Sequence, residues 1–405
     1  MEEAGAEALG ILLVILVAAF LAPLVSDHLA RWVLIPATVL EIVFGIVLGP
    51  AVLGVVHEHE AIGMLADLGL ALLMFMAGYE IDFARIAGRP LRRALLAWIV
   101  SVAVGLLLAG AAFGASQTAL IVGLALTTTA LGTVLPILRD AGALQGPFGT
   151  RFLASGTVGE FGPIVLIALL LSGYRPLEGT LLLLGFFALA GLAAWRATRP
   201  PSERLGRLLR ATLGSSAQLA VRLCMLLTVL LVWVAASMRL DALLGAFAAG
   251  VIVRLMLTTN HPEEAEEVES KMDALGFGFL IPLFFVMTGV RFDLRALLAD
   301  PVALLLVPVF LAAFLVVRGG PDYLLSKGDL PGGQRVPLAL MSATALPLVV
   351  VLTAIGQETG ALDGALSASL VGAAMLSVLV LPQVGGVLLR RAARAENGTA
   401  PSPGD

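Results

Sequence analysis

The sequence predicts an all-α polytopic membrane protein of about thirteen transmembrane helices, built as two inverted six-helix repeats with crossed, discontinuous helices. Three observations predict it. The 405 residues are 59% hydrophobic and 13% charged, whereas a soluble chain carries roughly 25% charged residues. Apolar stretches of spanning length centre near residues 16, 43, 73, 103, 128, 161, 187, 227, 249, 282, 310, 345 and 376, and roughly 20 residues cross a bilayer core. Matching motifs also recur seven segments apart. The net charge of −4 is small, and no nucleic-acid partner is expected.

The first segment opens on MEEAGAEALG and stays apolar to Val25, without the basic flank and cleavage site of a signal peptide. It is expected to be a retained helix with an outside amino terminus. Loop alternation then puts Arg85, Arg89, Arg92 and Arg93 inside, followed by Arg139 and Arg151, then Arg196, Arg199, Arg204, Arg207 and Arg210. Lys327, Arg335, Arg390, Arg391 and Arg394 fall on the same side, as the excess of Lys and Arg in cytoplasmic loops requires. The opposite loops are acidic or poor in charge, as in His57-Glu58-His59-Glu60 and Gln357-Glu358. Arg291 and Arg295 are the strongest exceptions, and Arg175 and Arg239 are isolated ones. A cell (inner or plasma) membrane location with a cytoplasmic carboxy terminus is expected.

The repeats follow from three motif pairs. Thr127-Thr128-Thr129-Ala130-Leu131, with Gly132 and Pro136 after it, matches Ser342-Ala343-Thr344-Ala345-Leu346-Pro347. Glu41 to Gly49 matches Leu244 to Gly250, and Leu73 to Asp82 matches Phe284 to Asp293. An odd offset reverses the direction of crossing, so the copies are inverted. Repeat one is expected over about 8–174, a linker helix over about 178–197 and repeat two over about 216–391. Together they form a transporter domain of residues 1–395, and 396–405 are expected to be a disordered cytoplasmic tail with no soluble regulatory domain.

The stretch Ser155 to Leu171 carries Glu160 well inside it, beside Gly156, Gly159, Gly162 and Pro163. A carboxylate at the bilayer centre costs about 2.5–3.5 kcal/mol even on lenient insertion scales, which marks it as functional. Helix-weakening residues are tolerated at that depth only where the backbone is packed in protein or lines a water-filled cavity. Glu160 therefore reads as an ion site, against the blander reading of a carboxylate that only bonds a neighbouring helix.

Paired helix interruptions free carbonyls and half-helix ends to coordinate a cation. Thr127, Thr128, Thr129, Ser342 and Thr344 are thus candidate ligands, with ordinary small-residue helix packing as the alternative. Glu41 is a secondary candidate, and a structural hydrogen bond is its other reading. Arg318 is either a buried charge that needs a carboxylate or carbonyls, or a snorkelling interfacial residue. The acidic run Glu263 to Glu269 is expected to form a cytoplasmic surface helix. Cys224 stands alone, and no metal-ligand spacing, Walker loop or dinucleotide fingerprint is present. Neither enzymatic activity nor a cofactor is expected.

Taken in order, the motifs are specific. They are Glu41 to Gly54, Leu65 to Asp82, the Thr-Ala-Leu segment ending Leu135-Pro136-Ile137-Leu138, Pro147-Phe148-Gly149, Gly245-Ala246-Phe247 and Ile281-Pro282-Leu283-Phe284-Phe285. Together they resemble the monovalent cation:proton antiporters of the second cation:proton antiporter family, the Kef-type and related sodium/proton exchangers. The resemblance covers nearly the whole membrane domain. It implies a sodium/proton antiporter-like fold with core and dimerisation domains, a homodimer, and alternating access. The helices containing Thr127–Gly132 and Ser342–Pro347 would cross at the ion site.

One departure stands out. Where relatives carry two adjacent acids, or Asn or Gln followed by Asp, this chain has Gly159-Glu160. Arg318 falls near the membrane-embedded Lys of the two-acid relatives, whose usual partner is missing here. The expectation is exchange of Na⁺ or K⁺ for protons, one for one and electroneutral, with Glu160 as the shared carboxylate. The alternatives are a sodium-coupled organic anion symporter of similar architecture, and a channel-like or sensory membrane protein.

Overall fold

A computed structural model of the protein describes residues 2–29, 35–81, 83–140, 142–170, 176–197, 218–238, 240, 242–260 and 262–398. Arg175, Arg199, Arg204, Arg207, Arg210 and Arg239 of the charge count lie outside these residues. The described chain is almost wholly helical. It runs α1 (Glu2–Leu29), α2 (Ala37–Leu48), α3 (Glu60–Tyr79), α4 (Phe83–Ile86), α5 (Arg89–Phe113), α6 (Gln117–Ala125), α7 (Leu131–Asp140), α8 (Gly146–Leu170) and α9 (Pro176–Ala197). It continues through α10 (Leu219–Ser237), α11 (Ala242–Asn260), α12 (Pro262–Leu275), α13 (Ile281–Val290), α14 (Leu294–Ala299) and α15 (Pro301–Phe314). The last elements are α16 (Gly320–Leu325), α17 (Gly332–Ser342), α18 (Pro347–Glu358) and α19 (Gly364–Gly398).

Among the described residues, eight helical stretches are long and apolar enough to cross a bilayer, and three shorter apolar helices accompany them. The protein is a multi-pass membrane protein. The expected centres fall on helices, except those near 128 and 345, which fall between the members of the pairs α6/α7 and α17/α18. The helix α19 is traced to Gly398, into the stretch read as a tail, and residues 399–405 lie outside the described chain.

The chain divides into two compact units, each drawing on both halves of the sequence. The first comprises Met1–Ala22, Glu41–Ile81 and Ile164–Arg291. Its helices approach closely at glycines. A methyl group at Gly289 would overlap the Ile42 carbonyl oxygen, and one at Gly45 would overlap that of Val286, so α2 and α13 cross with backbones in contact. The pair α3 and α11 meets the same way, Gly78 on the Phe247 carbonyl and Gly250 on that of Phe75. Small residues at such crossings supply the van der Waals packing that associates helices where no hydrophobic drive operates. Ile11, Ile15, Val56, Ile62, Leu283 and Met287 fill a buried cluster beside them.

The ends of this unit are tied by polar contacts. His57 Nε2 and Glu7 Oε1 lie 2.9 Å apart, and Arg291 Nε donates to Glu58 at 2.8 Å. Arg291, an exception to the charge count, is thus neutralised by a loop on its own side of that count. Tyr79 donates its hydroxyl to the Ala265 carbonyl at 3.0 Å, and Arg254 covers the Tyr79 ring at 5.2 Å. Ala265 belongs to α12, which is the acidic run formed into a helix as expected.

The second unit comprises Pro23–Leu40, Asp82–Pro163 and Phe292–Asp405. Here α19 packs along α15, α17 and α18, while α5 packs along α6 and α16. The fifth and twelfth segments break in mid-course, at 126–130 and 343–346. Between α15 and α16 the helix widens into a π-turn at Leu315–Gly319 rather than ending. Arg93 pairs with Asp329, Arg85 donates to the Leu144 carbonyl, and Thr118 donates to the Ala361 carbonyl at 2.6 Å.

Candidate functional site

Two helix breaks and the middle of α8 meet in the second unit. At the first break, α6 closes with Leu126 N–H on the Val122 carbonyl. Thr127 and Thr128 then turn their hydroxyls back onto the Leu124 and Ala125 carbonyls, each at 2.8 Å. These bonds satisfy carbonyls that a helix end leaves without an N–H four residues on. The next two residues bond outward instead. Thr129 N–H donates to the Gly159 carbonyl at 3.0 Å, and Ala130 N–H donates to the Thr344 carbonyl at 2.7 Å. Thr129 also donates its hydroxyl to the Ser342 carbonyl at 2.7 Å. The two breaks are therefore hydrogen-bonded to each other, and the first is bonded to the residue preceding Glu160.

The second break is held from another side. Ala345 N–H donates to Ser377 Oγ of α19 at 2.9 Å, and the Ser377 hydroxyl lies 3.0 Å from the Ala345 carbonyl. Thr344 turns its hydroxyl toward the Leu340 carbonyl at 3.3 Å. Ser342 Oγ is buried and makes no hydrogen bond among the described residues. Pro347 opens α18, where its missing N–H costs nothing because the first turn of a helix has no acceptors for it.

Arg318 lies on the π-turn and is 0% exposed, so the snorkelling reading fails. Its Nε donates to Thr129 Oγ1 at 2.8 Å, and its Nη2 donates to the Ser155 carbonyl at 2.7 Å and to Ser155 Oγ at 2.9 Å. Its Nη1 meets Asp322 Oδ2 at 2.9 Å. Asp322 also receives the Ser155 hydroxyl and, on Oδ1, Arg151 Nη2 at 3.0 Å. Arg151 reaches the Pro90 carbonyl with Nη1 at 3.3 Å. A guanidinium inside a bundle needs acceptors in a fork geometry, and this set supplies them.

Gly159 explains the departure noted in the sequence. A Cβ there would overlap Thr129 Oγ1 and stand 2.7 Å from Arg318 Nη2. The space that a side chain would take is filled by the threonine hydroxyl and the guanidinium. Glu160 follows directly and is buried at 4% exposure.

The structure thus gathers Glu160, Thr129, Ser342, Thr344 and Arg318 around the joined breaks. Thr127 and Thr128 are buried beside them, with their hydroxyls committed to α6. Glu41 belongs to the other unit, on α2 one turn before Gly45, and its Oε2 is buried without a hydrogen-bond partner among the described residues. Sequence reasoning missed Asp322, Ser155 and Arg151. Arg318 and Asp322 are spaced i, i+4, a helix-face pairing that was available to it. Among the described residues no group of three His, Cys, Asp or Glu could hold a resident metal. Chemically, the site holds two buried carboxylates: Asp322, engaged by both arginines, and Glu160, the residue after the Gly159 carbonyl that meets the first break. A carboxylate of that kind suits a hard monovalent cation or a proton.

A protein-family model described as "Sodium/hydrogen exchanger, transmembrane" matches residues 16–391. The protein YjbQ of Bacillus subtilis (strain 168) is 29% identical over 392 residues, covering 92% of this chain and 61% of that protein. The chain thus spans about three fifths of that relative's length. The Na(+)/H(+) antiporter of Enterococcus hirae is 25% identical over 391 residues, covering 93% of this chain and 97% of that protein. The Na(+)/H(+)-K(+) antiporter GerN of Bacillus cereus is 30% identical over 264 residues, covering 63% and 65%. Among solved structures, the sodium proton antiporter MjNhaP1 from Methanocaldococcus jannaschii shares the fold, with a TM-score of 0.69 over 95% of this chain and 99% of that one, at 14% identity.

Proposed function

The chain belongs to the sodium/hydrogen exchanger family, and from that premise we propose that it is a secondary active antiporter exchanging Na⁺ or K⁺ for protons by alternating access. The observation that carries the reading is Glu160, a buried carboxylate next to the point where two broken helices are bonded to each other. An ionised carboxylate in that setting needs a positive partner, and either a proton or a monovalent cation serves. Because both compete for one group, the loaded carrier holds one or the other, and exchange follows. With a single exchangeable carboxylate and arginines that cannot release a proton, the exchange is one for one and electroneutral.

Ser342 Oγ and the oxygens of Thr127, Thr128, Thr129 and Thr344 complete the cation's ligand set in this proposal. The second unit acts as the carrier. The inverted repeats belong to the proposal as well, supported by each unit taking helices from both halves of the chain. The orientation, amino terminus outside, draws on the loop contacts within each unit: Glu7 with His57, Glu58 with Arg291, Thr118 with Ala361, Arg93 with Asp329 and Arg85 with Leu144. Each joins loops that the alternation assigns to one side. A homodimer in the cell membrane is proposed on the family resemblance, and the mass of the purified particle checks it.

The test is proton movement in sealed proteoliposomes carrying a pH dye, with Na⁺, K⁺ or Li⁺ added in turn. Wild type should respond to Na⁺ or K⁺, and Glu160→Gln should not. Silence of folded wild type toward all three cations would turn attention to organic anion symport.

A further inference from the structure

The buried charges behind Glu160 do not cancel in pairs. Arg151 and Arg318 bring two positive charges at 2% and 0% exposure, and Asp322, also 0% exposed, is the carboxylate that meets both. Each of its oxygens is engaged. Oδ1 takes Arg151, and Oδ2 takes Arg318 together with the Ser155 hydroxyl. Bonds from a guanidinium to a carboxylate are charge-assisted and among the stronger hydrogen bonds a protein makes.

Arg318, for its part, lies against the turn of α8 that leads into Glu160. Its Nη2 bonds both the carbonyl and the hydroxyl of Ser155, and it stands 2.7 Å from where a Cβ of Gly159 would be. Without Asp322, the guanidinium would keep its charge and lose its carboxylate. Glu160 follows Gly159 directly in the chain.

We propose that Asp322 is a positioning residue for the exchange: it fastens Arg318 to Thr129 and Ser155, and so keeps that fixed cation off Glu160. This rests on the reading of Glu160 as the shared carboxylate. Asp322 itself carries neither proton nor metal cation. Its removal lets Arg318 compete with the transported cation, which weakens cation binding while leaving the path and the stoichiometry intact.

The experiment uses the full chain in proteoliposomes, comparing wild type, Asp322→Asn, Asp322→Glu, Ser155→Ala and Glu160→Gln. Initial rates of Na⁺-evoked proton movement are measured against Na⁺ concentration, with transport current recorded in parallel and Na⁺-induced thermal stabilisation followed in detergent. Asp322→Asn should raise the Na⁺ KM by about tenfold, within the range typical of coupling between sites. Maximal rate should change less, no net current should appear, and Asp322→Glu should restore KM toward wild type.

An unchanged KM with a lower maximal rate would make Asp322 a strut alone and overturn the proposal. A changed charge per cycle would overturn it in the other direction, by making Asp322 a carrier. If Asp322→Asn does not fold, Ser155→Ala decides. It keeps both arginine pairs but removes the hydroxyl between Arg318 and Asp322, and its KM should rise by about threefold; no rise would overturn the proposal. Na⁺-evoked flux retained in Glu160→Gln would instead sink the reading of Glu160, a result visible independently of any Asp322 variant.

Discussion

The two units of this protein bury their interiors by different means. In the first, helices touch backbone to backbone at glycines, as Gly45 and Gly289 do between α2 and α13, and Gly78 and Gly250 do between α3 and α11. In the second, two helices are broken in mid-course, and the interior holds Glu160, Arg151, Arg318 and Asp322 with a set of buried hydroxyls. The contrast teaches where rigidity and chemistry are kept. Glycine seams exclude water and fix helix crossings, whereas interrupted helices offer carbonyls, N–H groups and charge at membrane depth.

The sharpest way to break the comparison is to exchange the kinds of damage each unit suffers. Glu160→Gln should abolish cation-driven proton flux with little change in thermal stability, which a melting curve in detergent will register. Gly289→Val should do the opposite kind of harm. It forces a side chain into the Ile42 carbonyl, and overpacking of this sort costs about 1–3 kcal/mol or more, so loss of folded protein on size-exclusion should precede any specific transport defect. Should Gly289→Val fold normally and lose only transport, the division of labour between units fails.

Thr129→Val probes a smaller step, within the second unit. It removes the acceptor of Arg318 Nε and the donor to the Ser342 carbonyl, and a buried polar group left unsatisfied costs about 1–3 kcal/mol. Lower melting temperature together with slower exchange is expected; Thr129→Ser should recover both. Ser342→Ala is the mildest. Its hydroxyl makes no hydrogen bond among the described residues, so its removal breaks no such bond and should not lower stability. A rise in cation KM would identify that oxygen as a ligand, and an unchanged KM would remove it from the set.

Much of the fold was legible because bilayer length and apolar periodicity act on contiguous stretches. The Thr-Ala-Leu and Ser-Ala-Thr-Ala-Leu-Pro segments announced their breaks through composition, and Glu160 announced itself as a carboxylate where none should be. Arg318 was visible for the same reason, yet its partner was not. Gly319-Gly320-Pro321 stand between Arg318 and Asp322, a composition that does not advertise a continuing helix, whereas the π-turn at Leu315–Gly319 carries the helix on to Leu325.

Arg151 was counted with a cytoplasmic loop, but α8 already begins at Gly146, so the residue is taken into the bundle. The Arg318–Ser155 and Ser155–Asp322 contacts join residues 163 and 167 positions apart. No periodicity in one chain encodes such a distance. Gly159 shows the same limit, since its sequence marks a lost side chain, and only the packing shows the guanidinium that took the space.

The most direct measurement is proton release on Na⁺ binding, made calorimetrically with detergent-purified protein in buffers of different ionisation enthalpy. At a pH where Glu160 is protonated in the absence of Na⁺, saturating Na⁺ should displace one proton per chain from wild type and none from Glu160→Gln. Na⁺ binding that releases no proton from wild type, or that releases as many from the mutant, would mean that cation and proton do not share Glu160.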